Sequence, residues 1–260
     1  MSSSGTGNMF VSDTGNNRVQ VFNSDGQFLF QFGGWGNTEK KFSSPAGITV
    51  DLNQRIYVAD KENNRVQKFD MNGAFLGELG YFGSDPGKLI NPLGVAVDQT
   101  RKIFVVDSGN NRIEIFNENG TYLDSIGGFG MSEGYLNSPS DVAVDPDGYI
   151  YVADTKNDRV QKMNSMGMPM SVFGKSGGEY GDFHSPAGIA VDLRYIYVSD
   201  TDNNRIQIFD KFGKFLMKFG STGMGNGEFS NPTGISIDPN GRLLIADTNN
   251  HRIQEFKVSF

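Results

Sequence analysis

One motif recurs six times along the chain at an almost constant interval. It first appears as VSDTGNNRVQVF, residues 11–22, in which an Asp is followed five residues later by an Arg. The spacing between successive Asp residues is 47, 47, 47, 46 and 47. A period in the forties is typical of arrays in which each repeat packs on its neighbours. The period predicts a single repeat domain, residues 1–260, with residues 1–8 as a flexible leader. The motif positions are Asp13 and Arg18, Asp60 and Arg65, Asp107 and Arg112, Asp154 and Arg159, Asp200 and Arg205, and Asp247 and Arg252.

Each repeat contains four short segments that are typical of β-strands. In the second repeat they are GITVD, IYVAD, RVQKF and AFLGEL, rich in β-branched and aromatic residues and separated by turns. The link between the third and fourth segments ends in glycine in every repeat that contains it, as hairpin turns require. Four strands per repeat at this period predict the blades of a β-propeller.

The repeat resembles the NHL repeat over almost the whole chain. The segments that carry the resemblance are PAGIAVD, IYVSD, NNRIQIF and GKFLMKFG. The resemblance implies an all-β, six-bladed β-propeller in which the first segment of each repeat lines the axis and the fourth forms the outer edge. Because the chain starts in a second segment and stops in a third, we expect incomplete first and last blades, without an inner and an outer strand respectively. Unpaired strand edges favour association. The two expected outcomes are self-association through the terminal blades and a ring with two three-stranded blades.

The Asp-to-Arg motif has two possible roles. The stretch DTDNNR from Asp200 resembles the start of a calcium loop, but an EF-hand loop needs Gly at the sixth position, where this chain has Arg in every copy. The other role is structural, with Asp accepting backbone hydrogen bonds of its own turn and Arg donating where blades meet. Six copies favour the structural role, because one active site needs only one copy. We expect the same of a second recurring set, as turn initiators or as a cation-attracting ring: Asp51, Asp98, Asp145, Asp192 and Asp238.

The long connections between blades differ from one repeat to the next, which makes them candidates for binding. Three of them carry an aromatic residue three positions after the last apolar residue of the fourth segment: Trp35, Phe82 and Phe129. Exposed aromatic residues commonly mark interaction surfaces, so we expect these three to contact a protein, peptide or glycan partner. The alternative is that each ring packs on its own blade. A second recurring set is expected to anchor the connections: Phe42, Leu89, Leu136, Phe183 and Phe229.

Enzymatic functions have weaker support in the sequence. The family resemblance implies one alternative, a metal-dependent lyase or hydrolase that uses the axial channel. The chain has no Cys and two His, His184 and His251, which are too few for a three-histidine zinc site unless a carboxylate completes it. No Ser or Thr has an evident His partner, so a hydrolase triad is unsupported. We therefore expect a non-catalytic binding module with no cofactor.

Net charge and hydropathy bear on the remaining partner classes. A second alternative implied by the resemblance is an RNA-binding NHL domain, but the net charge is −7 and nucleic-acid binders usually carry a basic face. No stretch approaches eighteen consecutive apolar residues, so we expect no membrane-spanning segment. The polar start, Met1 to Gly5, has no apolar core of a secretion signal.

Overall fold

The computed structural model describes residues 1–5 and 7–257, which form six antiparallel sheets. Each sheet is a meander in which strands pair in chain order. This confirms the prediction of an all-β, six-bladed β-propeller. Single-turn 3₁₀ segments follow the second strand in five blades, and no helix of the described residues has the length and hydropathy to cross a bilayer. The predicted hairpin glycines adopt positive φ, for example Gly73 at 76°.

The chain divides into two compact units, Met1–Ile126 and Gly127–Phe260. Blades one to three contain β1 Ser2–Ser3, β2 Met9–Asp13, β3 Arg18–Phe22, β4 Phe28–Gly33, β5 Pro45–Val50, β6 Ile56–Asp60, β7 Arg65–Phe69, β8 Phe75–Leu79, β9 Pro92–Val97, β10 Ile103–Asp107, β11 Arg112–Phe116 and β12 Tyr122–Gly127. Blades four to six contain β13 Asp141–Val144, β14 Ile150–Asp154, β15 Arg159–Met163, β16 Pro169–Phe173, β17 Pro186–Val191, β18 Tyr195–Asp200, β19 Arg205–Asp210, β20 Phe215–Phe219, β21 Pro232–Ile237, β22 Arg242–Asp247 and β23 Arg252–Lys257.

Within each unit the apolar core lies between consecutive blades. In the first unit, one cluster joins Phe10, Val19 and Val21 of blade one to Ile56 and Phe69 of blade two. The second strand of blade two, β6, is buried on both faces, which explains why IYVAD reads as a continuous run and does not alternate. Burying one such side chain stabilises the fold by about 1.5–3 kcal/mol. Each blade is therefore stabilised by its neighbours within the unit.

The first blade differs from the expectation of a missing inner strand. Ser2–Ser3 forms β1 and pairs antiparallel with β2, Ser2 opposite Phe10 and Ser3 opposite Met9. β1 packs beside β5, as β5 packs beside β9 in the next blade. Strand pairing uses backbone groups that any residue supplies, so a polar segment without strand propensity fills this place. Of the predicted leader, residue 6 lies outside the described residues, as do residues 258–260 of the last predicted segment. The described part of the sixth blade has three strands.

Candidate functional site

The Asp-to-Arg motif forms a hydrogen-bonded corner at the end of the second strand of each blade. In blade two, Asp60 is fully buried and its Oδ1 accepts the backbone N–H of Ser43 at 2.7 Å. Its Oδ2 accepts from Arg65 Nε at 2.9 Å and from Gln67 Nε2 at 3.1 Å. The Asn63 side chain donates to both oxygens. The backbone donor lies in the preceding connection, and not in the motif's own turn as the sequence suggested.

In blades two to six, the guanidinium group of the corner arginine holds the loop that leads into the blade by hydrogen bonds. Arg65 Nη2 donates to the carbonyl oxygens of Thr38 and Lys41 at 2.8 and 3.2 Å. The equivalent arginines do the same with the carbonyls of Asp85 and Lys88, Ser132 and Tyr135, Glu179 and Asp182, and Gly225 and Glu228. In blade one, Arg18 Nη1 donates to Gln31. Corner and loop therefore form one hydrogen-bonded structure, which accounts for the repetition of the motif.

The second set of aspartates closes the turns between first and second strands. Asp51 Oδ1 accepts the backbone N–H of Arg55 at 2.8 Å, and its Oδ2 accepts from the Tyr57 hydroxyl at 3.3 Å. Burial and the nearby Asp51 carboxylate raise the pKa of Tyr57 to about 12. The five aspartates of this set all accept a backbone N–H of their own turn: Asp51, Asp98, Asp145, Asp192 and Asp238.

A short parallel bridge shapes each loop between blades and turns one side chain outward. In the first loop, Phe42 N–H donates to Gly34 O at 2.9 Å and Gly36 N–H donates to Phe42 O at 3.0 Å. Trp35 lies between these two glycines and forms an isolated parallel β-bridge with Phe42. Phe42 is fully buried, whereas Trp35 is 79% exposed. The loop therefore has a buried anchor and an exposed aromatic residue whose backbone is fixed.

Phe82 and Phe129 occupy the same position in their own loops and are 69% and 73% exposed. Neither ring packs on its own blade as the alternative interpretation proposed. Trp35 and Phe82 belong to the first unit, and Phe129 belongs to the second. The anchors opposite the five bridge positions are all fully buried: Phe42, Leu89, Leu136, Phe183 and Phe229.

A glycine begins each of these loops because the anchor side chain lies against its Cα. Gly33 has φ +114°, and a Cβ there would lie 2.7 Å from the Phe42 ring. Gly174 has φ +90°, and a Cβ there would lie 2.3 Å from the Phe183 ring. Both the positive φ and the close approach favour glycine over any other residue.

Sequence reasoning missed several exposed apolar side chains in the same loops. Tyr81 is 63% exposed with the Lys88 ammonium 5.5 Å from its ring centre, and Met131 is 78% exposed. Tyr81 directly precedes Phe82, and Met131 lies two residues after Phe129, but neither residue type recurs in register in all five loops, so the repeat gave no signal for them. Large exposed apolar side chains also lie at other turns of the described residues: Leu52, Met166, Leu193 and Phe212.

The two histidines lie on exposed turns. His184 Nε2 is 4.0 Å from Asp202 Oδ2, and His251 ends the last 3₁₀ turn with φ 54°. Among residues 1–5 and 7–257, no three His, Asp or Glu side chains are grouped so that they could hold a metal ion.

Solved structures with the same fold come from proteins of several functions. The chain is similar to virginiamycin B lyase from Staphylococcus aureus, with 15% identity, a TM-score of 0.66, and coverage of 99% of this chain and 83% of that one. It is similar to an auxiliary nutrient binding protein from Bacteroides ovatus, with 14% identity, a TM-score of 0.71, and coverage of 99% and 67%. It is also similar to a chain of a nidogen/laminin complex, with 16% identity, a TM-score of 0.68, and coverage of 90% and 82%. At these identities the likeness shows the fold alone.

No curated protein matches the sequence. The NHL repeat model matches five segments, residues 42–69, 89–116, 136–163, 183–209 and 229–256, which together make up just over half of the chain. Each matched segment starts at a buried loop anchor and runs through the corner to the third strand of its blade. The chain belongs to the NHL-repeat family.

Proposed function

We propose that this protein is a non-catalytic binding module whose loops between blades contact a protein or peptide partner. The observation that carries the proposal is the exposure of Trp35, Phe82 and Phe129 at one equivalent position of three consecutive loops. Large aromatic side chains at fixed backbone positions give a large contact area at a small cost in conformational entropy. Such residues often contribute most of the binding energy of an interface.

The clamped backbone supports the same function. The loops of Trp35, Phe82 and Phe129 are held by the corners of blades two, three and four. A loop that is already ordered loses little conformational entropy on binding, which favours affinity. Proteins of this fold include a chain of a nidogen/laminin complex and an auxiliary nutrient binding protein, so the fold is used for binding elsewhere.

The lyase alternative rests on fold likeness to virginiamycin B lyase at 15% identity. A shared fold does not establish a shared function. The net charge of −7 weighs against the RNA-binding alternative.

The test is a peptide-display selection on the wild-type protein, followed by affinity measurement on two triple variants. The first variant is Trp35→Ala, Phe82→Ala, Phe129→Ala. The matched control is Leu52→Ala, Leu193→Ala, Phe212→Ala, which removes exposed apolar side chains at other turns. We expect the first variant to weaken binding of selected peptides by at least about tenfold, or about 1.4 kcal/mol, and the control to bind normally.

Three outcomes contradict the proposal. They are a selection that yields no binder, equal binding by both triple variants, and binding lost only in the control. A glycan array on the wild type serves as the second arm, and binding confined to it would replace the peptide partner with a carbohydrate. Elemental analysis that finds a stoichiometric transition metal or calcium in the purified protein would favour the enzyme alternative.

A further inference from the structure

One corner of the six differs in a buried residue. The position two residues after the corner Arg is Glu114 in blade three, and the other five blades have a glutamine there: Gln20, Gln67, Gln161, Gln207 and Gln254. Glu114 is fully buried, as is its counterpart Gln67 in the neighbouring blade. A buried carboxyl group in place of an amide changes which hydrogen bonds the corner can make.

The glutamine serves as both donor and acceptor. Gln67 Nε2 donates to Asp60 Oδ2 at 3.1 Å and to the Lys41 carbonyl at 2.7 Å. Gln67 Oε1 accepts the backbone N–H of Lys40 at 3.0 Å. Gln161, Gln207 and Gln254 make the same three kinds of hydrogen bond in their blades.

Glu114 reproduces only the accepting half of this pattern. Its Oε2 accepts the backbone N–H of Gly87 at 3.1 Å. Its Oε1 lies 2.7 Å from Arg112 Nε, but that N–H donates to Asp107 Oδ2 at 2.8 Å, and Oε1 receives no hydrogen bond. In blade two, the glutamine Nε2 donates to the corner aspartate and to the carbonyl of Lys41. Glu114 Oε1 takes the place of that nitrogen, and the corresponding acceptors in blade three are Asp107 Oδ2 and the Lys88 carbonyl. A neutral carboxyl group has that donor, and a carboxylate does not.

The charges around Glu114 only partly compensate an ionised form. The charged groups on the elements packed against it are Asp107 on β10, Arg112 on β11, Asp124 on β12, and the ion pair of Asp85 and Lys88 in the loop. Burial raises the pKa of Glu114 to about 7, against the lowering effects of the Gly87 N–H and Arg112. Burial also raises the pKa of Asp107.

We propose that Glu114 is protonated when the Phe82 loop, residues 80–91, is closed on its corner, and that loss of this proton loosens the loop. In the closed state the Glu114 hydroxyl donates as the glutamine amide does elsewhere. Above neutral pH the proton passes to solvent and leaves two carboxylates around one guanidinium Nε. The closing of a loop that holds an exposed aromatic residue thus depends on pH. The consequence for ligand binding at Phe82 rests on the proposed function, and the loop opening itself does not.

The direction of the pKa shift of Glu114 determines how loop closing depends on pH. The pKa of Glu114 is higher in the closed state than in an open, solvated state, so protonation favours closing. This stabilisation is complete below the ordinary glutamate pKa and is lost as the pH rises through about 7.

The test is hydrogen exchange of residues 80–91 between pH 6 and 8.5, expressed as protection factors that remove the intrinsic pH effect on exchange. We expect wild-type protection to fall about tenfold or more over this range. Glu114→Gln should keep its protection, because it installs the residue of the other five blades. Gln161→Glu in blade four is the converse control and should make protection of residues 128–138 pH-dependent.

Equal pH dependence in wild type and Glu114→Gln overturns the proposal. So does a Glu114 carboxyl ¹³C titration in the wild type with a midpoint below pH 5, since the group would then be ionised in the closed loop at neutral pH. Neither measurement uses a ligand. Failure here is therefore distinct from failure of the proposed function, which the peptide selection tests.

Discussion

At the scale of single residues, the equivalent corner arginines differ from blade to blade in how much they stabilise the fold. Arg205 is 5% exposed at its side chain beside a fully buried Asp200, and it also donates to the carbonyls of Gly178, Glu179 and Asp182. Arg18 is 33% exposed beside Asp13 at 20%. The free energy that a charged hydrogen bond contributes depends strongly on this difference in solvent access.

We predict that Arg205→Ala lowers the free energy of unfolding by about 3–5 kcal/mol, because it leaves the buried Asp200 carboxylate without its cationic partner. Arg18→Ala is the matched control and should cost about 1 kcal/mol or less. Urea unfolding of both variants measures the two costs. Equal losses, or an unaffected Arg205→Ala, would refute the clamp as a source of stability. The loop that Arg205 clamps has Ser176 at the bridge position, so binding by the aromatic residues should be unchanged.

At the scale of strands, burial of the third strand depends on the fourth. In blade five, β19 pairs with β20, with Ile206 opposite Phe219, and Ile206 is fully buried. In blade six, the equivalent residue Ile253 is 36% exposed, and β23 pairs with β22. Two residues of identical type and register thus lie in different environments.

This pair of isoleucines gives a second prediction. Ile206→Ala should cost about 2–5 kcal/mol, because it removes buried methyl groups and leaves a cavity. Ile253→Ala should cost about 1 kcal/mol or less, since solvent already reaches the side chain. Chemical denaturation of the two variants makes the comparison. If Ile253→Ala is as costly as Ile206→Ala, then β23 is covered in solution.

At the scale of the whole chain, the repeat period indicates one domain, whereas the contacts within the chain divide it into two compact units. The 47-residue spacing continues unchanged from Asp107 to Asp154, across the division between residues 126 and 127. In repeat proteins, stability is approximately a sum of repeat terms and nearest-neighbour terms, so an uninterrupted period favours one cooperative array. The single domain over residues 1–260 stays a prediction on this basis.

Differential scanning calorimetry tests that prediction. We expect one transition whose calorimetric and van't Hoff enthalpies agree, as for a single cooperative domain. Two resolved transitions, reproduced by separate fragments 1–126 and 127–260, would show that each unit unfolds alone. Arg205→Ala should shift the single transition as a whole. A shift confined to one of two transitions would contradict a single domain.

The features that were predictable from sequence are those that depend on short-range patterns. Strand position, hairpin glycines, the Asp-to-Arg corner and the number of blades all follow from a period of 47 and from short alternating or continuous apolar runs. The anchors, such as Phe42, were predictable because they recur in register. Pairing of the N-terminal Ser2 and Ser3 was not predictable, because strand pairing relies on backbone groups and leaves no side-chain pattern.

Contacts that form only in the folded chain decided the rest. Trp35 and Phe42 are aromatic residues of one loop, yet one is exposed and the other fully buried, because the bridge between them directs their side chains differently. Glu114 looks like any charged residue of an alternating strand in the sequence. Its burial against a loop 27 residues earlier gives it a raised pKa. Solvent access and the charges of distant neighbours set such properties, and both arise only when the chain has folded.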